Sequence, residues 1–409
     1  MTSPGVVPTY RRGRMIVVLG LLSTFGPLSL DLYLPALPQL SEDLGTSASG
    51  AQLTITACLL GLAVGQLIAG PLSDRFGRRR PLIIGLTCFM LSSVACAFAP
   101  SIELLILLRL LQGLSGAAGL VISRAVARDL FAGRELVVFF TRLMLINGFA
   151  PVLAPVLGGQ LARVMDWRGM FIVLGGFGLL LLLAGALGVP ETLPAERRVI
   201  GGLGATVRGF GVLLKDRLFV GSAAAAGLAS ASMFAYIAGA TFVLQEIYGL
   251  SAQQFSYVFG VNSIGIVAMG QIGGRLVRRF PTATVLSLGL ALNLLGAASL
   301  ALTVLAGWGL PFLLGSLFVM VSAVGLIFPT ATALAMADYA DRAGAASSLL
   351  GLLQFSGGAI AAPLVGIAGQ ATAVPLGIVA CTASVCGVAV FGLVALPVLR
   401  RRRFAGAES

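Results

Sequence analysis

The chain has 409 residues, 58% of them hydrophobic and only 10% charged, whereas a water-soluble domain carries about 25% charged residues. A soluble enzyme or binding module is therefore excluded, and a membrane protein is indicated. There is no histidine, and the five cysteines form no CxxC pair. Neither an HExxH site nor a zinc centre is available, so no cofactor is expected.

Apolar windows of roughly 20 residues, the length of helix that crosses about 30 Å of hydrocarbon, recur along the whole chain. Twelve spans are predicted, at 15–37, 50–72, 81–98, 102–123, 139–162, 168–189, 218–245, 253–274, 283–306, 309–335, 345–368 and 374–398. Lipid cannot satisfy backbone N–H and C=O groups, so spans of this length must be helical. The fold class is all-α. Cys58, Cys88, Cys96, Cys381 and Cys386 all fall within spans and read as small packing residues. The first span is expected to be retained rather than cleaved as a leader, because its apolar stretch is too long and is interrupted by an acid and two prolines.

That interruption, LSLDLYLPALPQL at 28–40, is the first sign of function. A charge at mid-membrane costs roughly 2.5 to 3.5 kcal/mol, and only Asp31 and Arg109 lie deep in the predicted spans. Counted from the outer ends of their helices, they lie at depths of about 9 and 10 Å, so they could face one central cavity. Burial raises a carboxyl pKa and a nearby guanidinium lowers it, so movement around such a pair can load or release a proton. Asp31 is the expected proton carrier and Arg109 its modulator. The alternative is a structural ion pair, or bonds from each to neighbouring backbone. Pro35 and Pro38 should bend or end the first helix. Polar residues elsewhere in the spans, Tyr33, Gln112, Asn147, Tyr236, Asn262 and Gln354, are candidates for substrate contact or for interhelical hydrogen bonds.

The net charge of +12 is distributed unevenly. With the N-terminus cytoplasmic, the inner segments hold 23 of the 27 basic residues, against Arg163 and Arg168 outside. This asymmetry puts both termini in the cytoplasm. It also makes the basicity a topology signal and an attraction for anionic lipid headgroups, not a nucleic-acid footprint.

The chain also repeats itself. A shift of 204 places Glu42, Gly45, Ser47 and Ala48 on Glu246, Gly249, Ser251 and Ala252, and Gly70, Leu72, Arg75 and Phe76 on Gly274, Leu276, Arg279 and Phe280. APVLG at 154–158 returns as APLVG at 362–366, with the shift now 208. Two six-helix halves in the same orientation are expected, with a solute site between them near mid-membrane. The predicted units are an N-terminal bundle (1–189), a basic linker at the inner surface (190–217) and a C-terminal bundle (218–409).

Several short motifs then become familiar. GPLSDRFGRRR (70–80) resembles the signature loop of the major facilitator superfamily, RLLQG (109–113) its R-x-x-Q-G element, and WRGMF (167–171) and PET (190–192) its markers around span 6. APVLGG (154–159) is similar to the antiporter motif G-P-x-x-G-G, with Ala154 in place of the usual Gly, and DLYLPALP (31–38) resembles the span 1 ending of the Bcr/CflA drug exporters. The resemblance implies a monomeric bacterial inner-membrane antiporter that exchanges a hydrophobic or amphiphilic drug for protons. It further implies a cytoplasmic latch to the other half from Gly70, Asp74, Arg75, Gly77, Arg78 and Asp129, and close, leak-proof packing at Pro155, Gly158 and Gly159. A proton-coupled metabolite transporter is the alternative within the class. A membrane enzyme would need a nucleophile and base or a metal cluster, and a channel a ring of like residues from symmetric subunits.

Overall fold

The computed structural model describes residues 9–131, 153–198, 210–339, 343–366 and 372–405. Nearly all of these are helical, with no strand among them. The helices are α1 (Thr9–Ser23), α2 (Phe25–Asp31), α3 (Leu37–Asp43), α4 (Ala48–Phe76), α5 (Arg79–Ala97), α6 (Ile102–Leu130), α7 (153–161) and α8 (Trp167–Gly188) in the first half. The second half has α9 (Arg217–Phe242), α10 (Ala252–Leu276), α11 (Thr282–Leu305), α12 (Leu310–Met336), α13 (Ala343–Gly366), α14 (Val374–Val390) and α15 (Leu396–Ala405). Ten of the described helices are long and apolar enough to cross a membrane, and the bent pair Met15–Ser23 and Leu28–Asp43 makes an eleventh crossing. Most of the predicted span 139–162 lies outside the described residues.

The repeat is visible in how helices begin. The Ser47 hydroxyl accepts from the Gly50 N–H to cap α4, and Ser251, 204 residues on, accepts from Gln254 to cap α10. Each hydroxyl satisfies an N–H that has no partner within the helix. The turns leading in also match, with Gly45 at φ 60° and Gly249 at φ 68°, a left-handed conformation that glycine adopts without strain. Within each half the helices approach to backbone contact: a Cβ on Gly113 of α6 would lie 2.1 Å from the Cys58 carbonyl oxygen of α4, and one on Gly325 of α12 2.1 Å from the Ile266 oxygen of α10. Lipid provides no hydrophobic force between helices, so this close van der Waals fit is what holds them.

The first crossing departs from expectation. Its sharpest change of direction, 42°, falls before Pro27, whose missing N–H leaves the Ser23 carbonyl without its helical donor, and not at Pro35 and Pro38. Pro35 sits in a 3₁₀ turn (Leu34–Ala36). Pro38 opens α3, where a missing N–H costs nothing, so the helix continues past the predicted end to Asp43.

The halves meet along α4 and α13. Hydrogen bonds join them near the 43–50 end, from Gln245 Nε2 to the Pro35 oxygen and from Gln52 Nε2 to the Ala238 oxygen, both 3.2 Å. Gly159 of α7 packs there against Ala252 and Ser256 of α10, with the Ser256 hydroxyl 2.2 Å from where a Cβ would sit.

Candidate functional site

Between the halves lies a cavity of about 300 Å³. Gly26, Leu30 and Asp31 line it from the first crossing and Leu120 from α6, while the second half contributes Tyr236 and Phe259 with further apolar groups from α9, α10, α12 and α13. The break before α2 places Asp31 at the C-terminal end of that short helix, where its carboxylate faces the cavity. It is buried, and no hydrogen bond or ion pair reaches it among the described residues. Opposite, the Tyr236 ring stacks on Phe259 at 5.0 Å and 24°, and its hydroxyl accepts from Asn262 Nδ2 at 2.9 Å. Gln354 of α13 also lines the space.

Arg109 is elsewhere. It is fully buried inside the first half, its guanidinium 4.7 Å from the Tyr33 ring centre and 5.6 Å from that of Phe171. Nε donates to the Thr54 carbonyl oxygen at 3.4 Å and Nη1 donates to Gln112 Oε1, while Nη2 has no hydrogen-bond partner among the described residues. Gln112 passes the contact on, donating to the Ser93 hydroxyl at 2.7 Å, and the Tyr33 hydroxyl lies 2.8 Å from Thr54 Oγ1. Aromatic faces and a backbone oxygen thus take the role of the counter-ion. The expectation that Asp31 and Arg109 share one cavity is corrected: similar depth does not make two side chains face each other, and the kinked helix turns Asp31 outward from the bundle that encloses Arg109.

At the basic-loop end, Arg78 Nη1 donates to Asp74 Oδ1 at 2.5 Å and to the Ser73 hydroxyl at 2.8 Å, and Nε donates to Asp129 Oδ2 at 2.9 Å. Burial works against the Arg78 charge, but the Asp129 and Asp74 carboxylates outweigh it and hold the guanidinium more firmly protonated than usual. Glu191 closes the loop from the other side, accepting from the backbone N–H groups of Arg78 (2.8 Å) and Arg79 (3.2 Å) at the start of α5. Gly77 permits this twice over. Its φ is 87°, and a Cβ would lie 2.4 Å from Glu191 Oε2. All these bonds stay within the first half; among the described residues the second half faces the network across a pocket, through Ala345, Ser347 and Ser348.

The sequence model of the Major Facilitator Superfamily matches residues 10–362. The chain belongs to that superfamily. It is therefore a multi-pass membrane transporter and not an enzyme. It is 43% identical to an uncharacterised MFS-type transporter, YdgK, of Bacillus subtilis, over 92% of this chain and 94% of that one. It is 32% identical to a bicyclomycin resistance protein homolog of Haemophilus influenzae, covering 88% and 91%. A chloramphenicol resistance protein of Pseudomonas aeruginosa is also 32% identical, covering 77% and 74%. The xylose transporter XylE of E. coli, solved in a partially occluded inward-open conformation, shares the fold with a TM-score of 0.73 at 15% identity, covering 94% and 98%.

In this facilitator fold, the residues singled out from sequence divide into groups. Asp31, Tyr236 and Gln354 line the central cavity, and Asn262 stands behind Tyr236. Tyr33 and Gln112 belong to the Arg109 network, and Asn147 lies outside the described residues. Gly70, Asp74, Arg78 and Asp129 line the pocket at the basic-loop end, whereas Arg75 packs over the Phe76 ring at 5.1 Å. Gly158, beside Pro155 in α7, would carry a Cβ 2.1 Å from the Leu32 oxygen, so its close approach abuts the residue after Asp31. Phe259, Ser230, Ser263 and Phe355 of the cavity wall had no sequence signal to separate them from ordinary span residues, nor had Glu191 as an anchor of the loop.

Proposed function

We propose that the protein is a bacterial inner-membrane exporter of hydrophobic or amphiphilic drugs, driven by protons entering in exchange, with both termini in the cytoplasm. The observation that carries this reading is a carboxylate without a partner among the described residues, Asp31, set in a largely apolar, aromatic cavity between the halves. Apolar walls with a few polar groups are the usual form of a drug-sized site. Burial favours the neutral form of a carboxyl and hydration the ionised form, so an opening that alternates between the two membrane faces loads and unloads a proton at Asp31. The resistance proteins among the relatives support drugs as the cargo. One proton driven by 100 mV and one pH unit supplies about 2.3 plus 1.4 kcal/mol, enough for a several hundredfold gradient of a neutral drug. In this reading Arg109 modulates the acid through the Tyr33 and Thr54 side of the bundle. The loop acids and Arg78 latch onto the other half when the outer face opens, and the α7 packing at Gly158 and Gly159 prevents leak.

The test is expression in a strain lacking its main pumps, challenged with amphenicols, bicyclomycin and cationic dyes. Parent protein should protect; Asp31→Asn should not, at equal abundance in the membrane. Equal protection by the variant removes Asp31 from the mechanism.

A further inference from the structure

The pocket at the basic-loop end has a charge imbalance that the latch does not absorb. It holds about 250 Å³ and is walled by Arg78, Arg124 and Arg128, by Asp74 and Asp129, and from the second half by Ser347 and Ser348. Both carboxylates already bind the Arg78 guanidinium, at 2.5 and 2.9 Å, and Asp129 Oδ2 also accepts from the Thr192 hydroxyl at 2.8 Å. Arg124 and Arg128 are left without a hydrogen bond or ion pair among the described residues. They stand one helical turn apart on α6, the spacing at which like charges repel each other, and Arg124 is half-buried. Two arginines converging on a concave space with hydroxyls opposite are suited to an oxyanion, because guanidinium forks match phosphate oxygens and hydroxyls donate to the remainder.

We propose that this pocket binds a phosphate anion, either the headgroup of an anionic phospholipid or a free phosphate, held by Arg124 and Arg128 from the first half and by Ser347 and Ser348 from the second. Because the ligand joins the two halves at one end, its occupancy biases the closing of that end. Nothing in this site depends on Asp31, and the proposal stands apart from the export reading.

The experiment follows the thermal midpoint of the purified full chain in neutral detergent, with inorganic phosphate, short-chain phosphatidylglycerol or short-chain phosphatidylcholine added. Phosphate or phosphatidylglycerol should raise the midpoint by about 2 °C or more at saturation, and phosphatidylcholine should do less. A response to phosphatidylglycerol alone assigns the site to a lipid headgroup, and a response to inorganic phosphate alone to a soluble anion. The shift should disappear in Arg124→Gln/Arg128→Gln. Ser347→Asp, which supplies a resident carboxylate, should begin near the ligand-bound midpoint of the parent and respond no further; it decides the matter if the double variant fails to accumulate. The proposal is overturned if no anion shifts the parent, if phosphatidylcholine matches phosphatidylglycerol, or if the shift persists in the variants.

Discussion

The two halves share helices, caps and turns but not charges. Among the described residues, the buried charged side chains are Asp31, Arg78 and Arg109, all in the first half, whereas the buried polar groups of the second are serines, threonines and asparagines. At the repeat-related positions, Asp31 corresponds to Ala235, Asp74 to Arg278 and, with the shift of 208, Arg109 to the buried Leu317. The second half has its own hub, in which the Ser384 hydroxyl lies 2.7 Å from Asn293 Oδ1 and 3.3 Å from Ser232 Oγ, and Asn293 Nδ2 donates to the Met320 oxygen at 2.9 Å. Duplication preserved the scaffold, because every helix needs its cap and its close contacts. Buried ionisable groups, expensive in lipid, lie on one side only among the described residues. On the proposed reading, proton chemistry belongs to the first half and an adaptable wall to the second.

The largest test of this contrast removes a buried network from each half in turn. Arg109→Ala leaves Gln112 Oε1 and the Thr54 oxygen without their donor and opens a void beneath Tyr33 and Phe171. It should cost roughly 3 kcal/mol or more and lower the amount of folded protein in the membrane. Ser384→Ala removes one hydroxyl from a neutral cluster and should cost about 1 kcal/mol. Fluorescence-detected size-exclusion profiles after graded heating compare the two. Equal losses would mean that the charged half is no more dependent on its network than the neutral one.

Much of this could be read from the chain. The length of the apolar runs fixes the crossings, and Ser47 and Ser251 declare the helix starts because a cap is a local event. Asp31 stands out because a lone acid in an apolar run has no neighbour in sequence to explain it. What could not be read was direction. Arg109 and Asp31 match in depth, yet whether they face each other depends on the break before Pro27, and the rings that receive Arg109 come from Tyr33 and Phe171, both distant in sequence. Glu191 was legible only as part of a family marker. Its role at the start of α5 depends on a chain reversal spanning 113 residues, which no local pattern encodes.

A milder change sharpens the division between coupling and recognition. Tyr236→Phe keeps the ring stacked on Phe259 but leaves Asn262 Nδ2 without its acceptor, at a cost of about 1 kcal/mol. The wall changes polarity and the acid stays. The variant should therefore alter which drugs are exported while drug-driven proton movement in everted vesicles persists, read by a pH-sensitive dye. Loss of proton movement, as expected for Asp31→Asn, would place coupling in the second half as well and end the division.

The smallest expected effect lies in the loop. Burial raises the pKa of Glu191, but the N–H groups of Leu193, Arg78 and Arg79 and the charge of Arg198 together outweigh it and hold the carboxyl below its ordinary range. A depressed carboxyl pKa stabilises the folded state fully above the unfolded value, about 4.3, and the contribution fades as pH falls through the folded value. Because Glu191 is largely exposed, screening keeps the contribution small. Parent and Glu191→Gln should differ in thermal midpoint at pH 7, with the parent higher, and converge as the pH is lowered through 4. The second half has Ala395 at the corresponding position, so no carboxylate there can give a matching acid-dependent loss. A gap that stays constant down to pH 3.5 would show that the side chain acts through its shape and not through its charge.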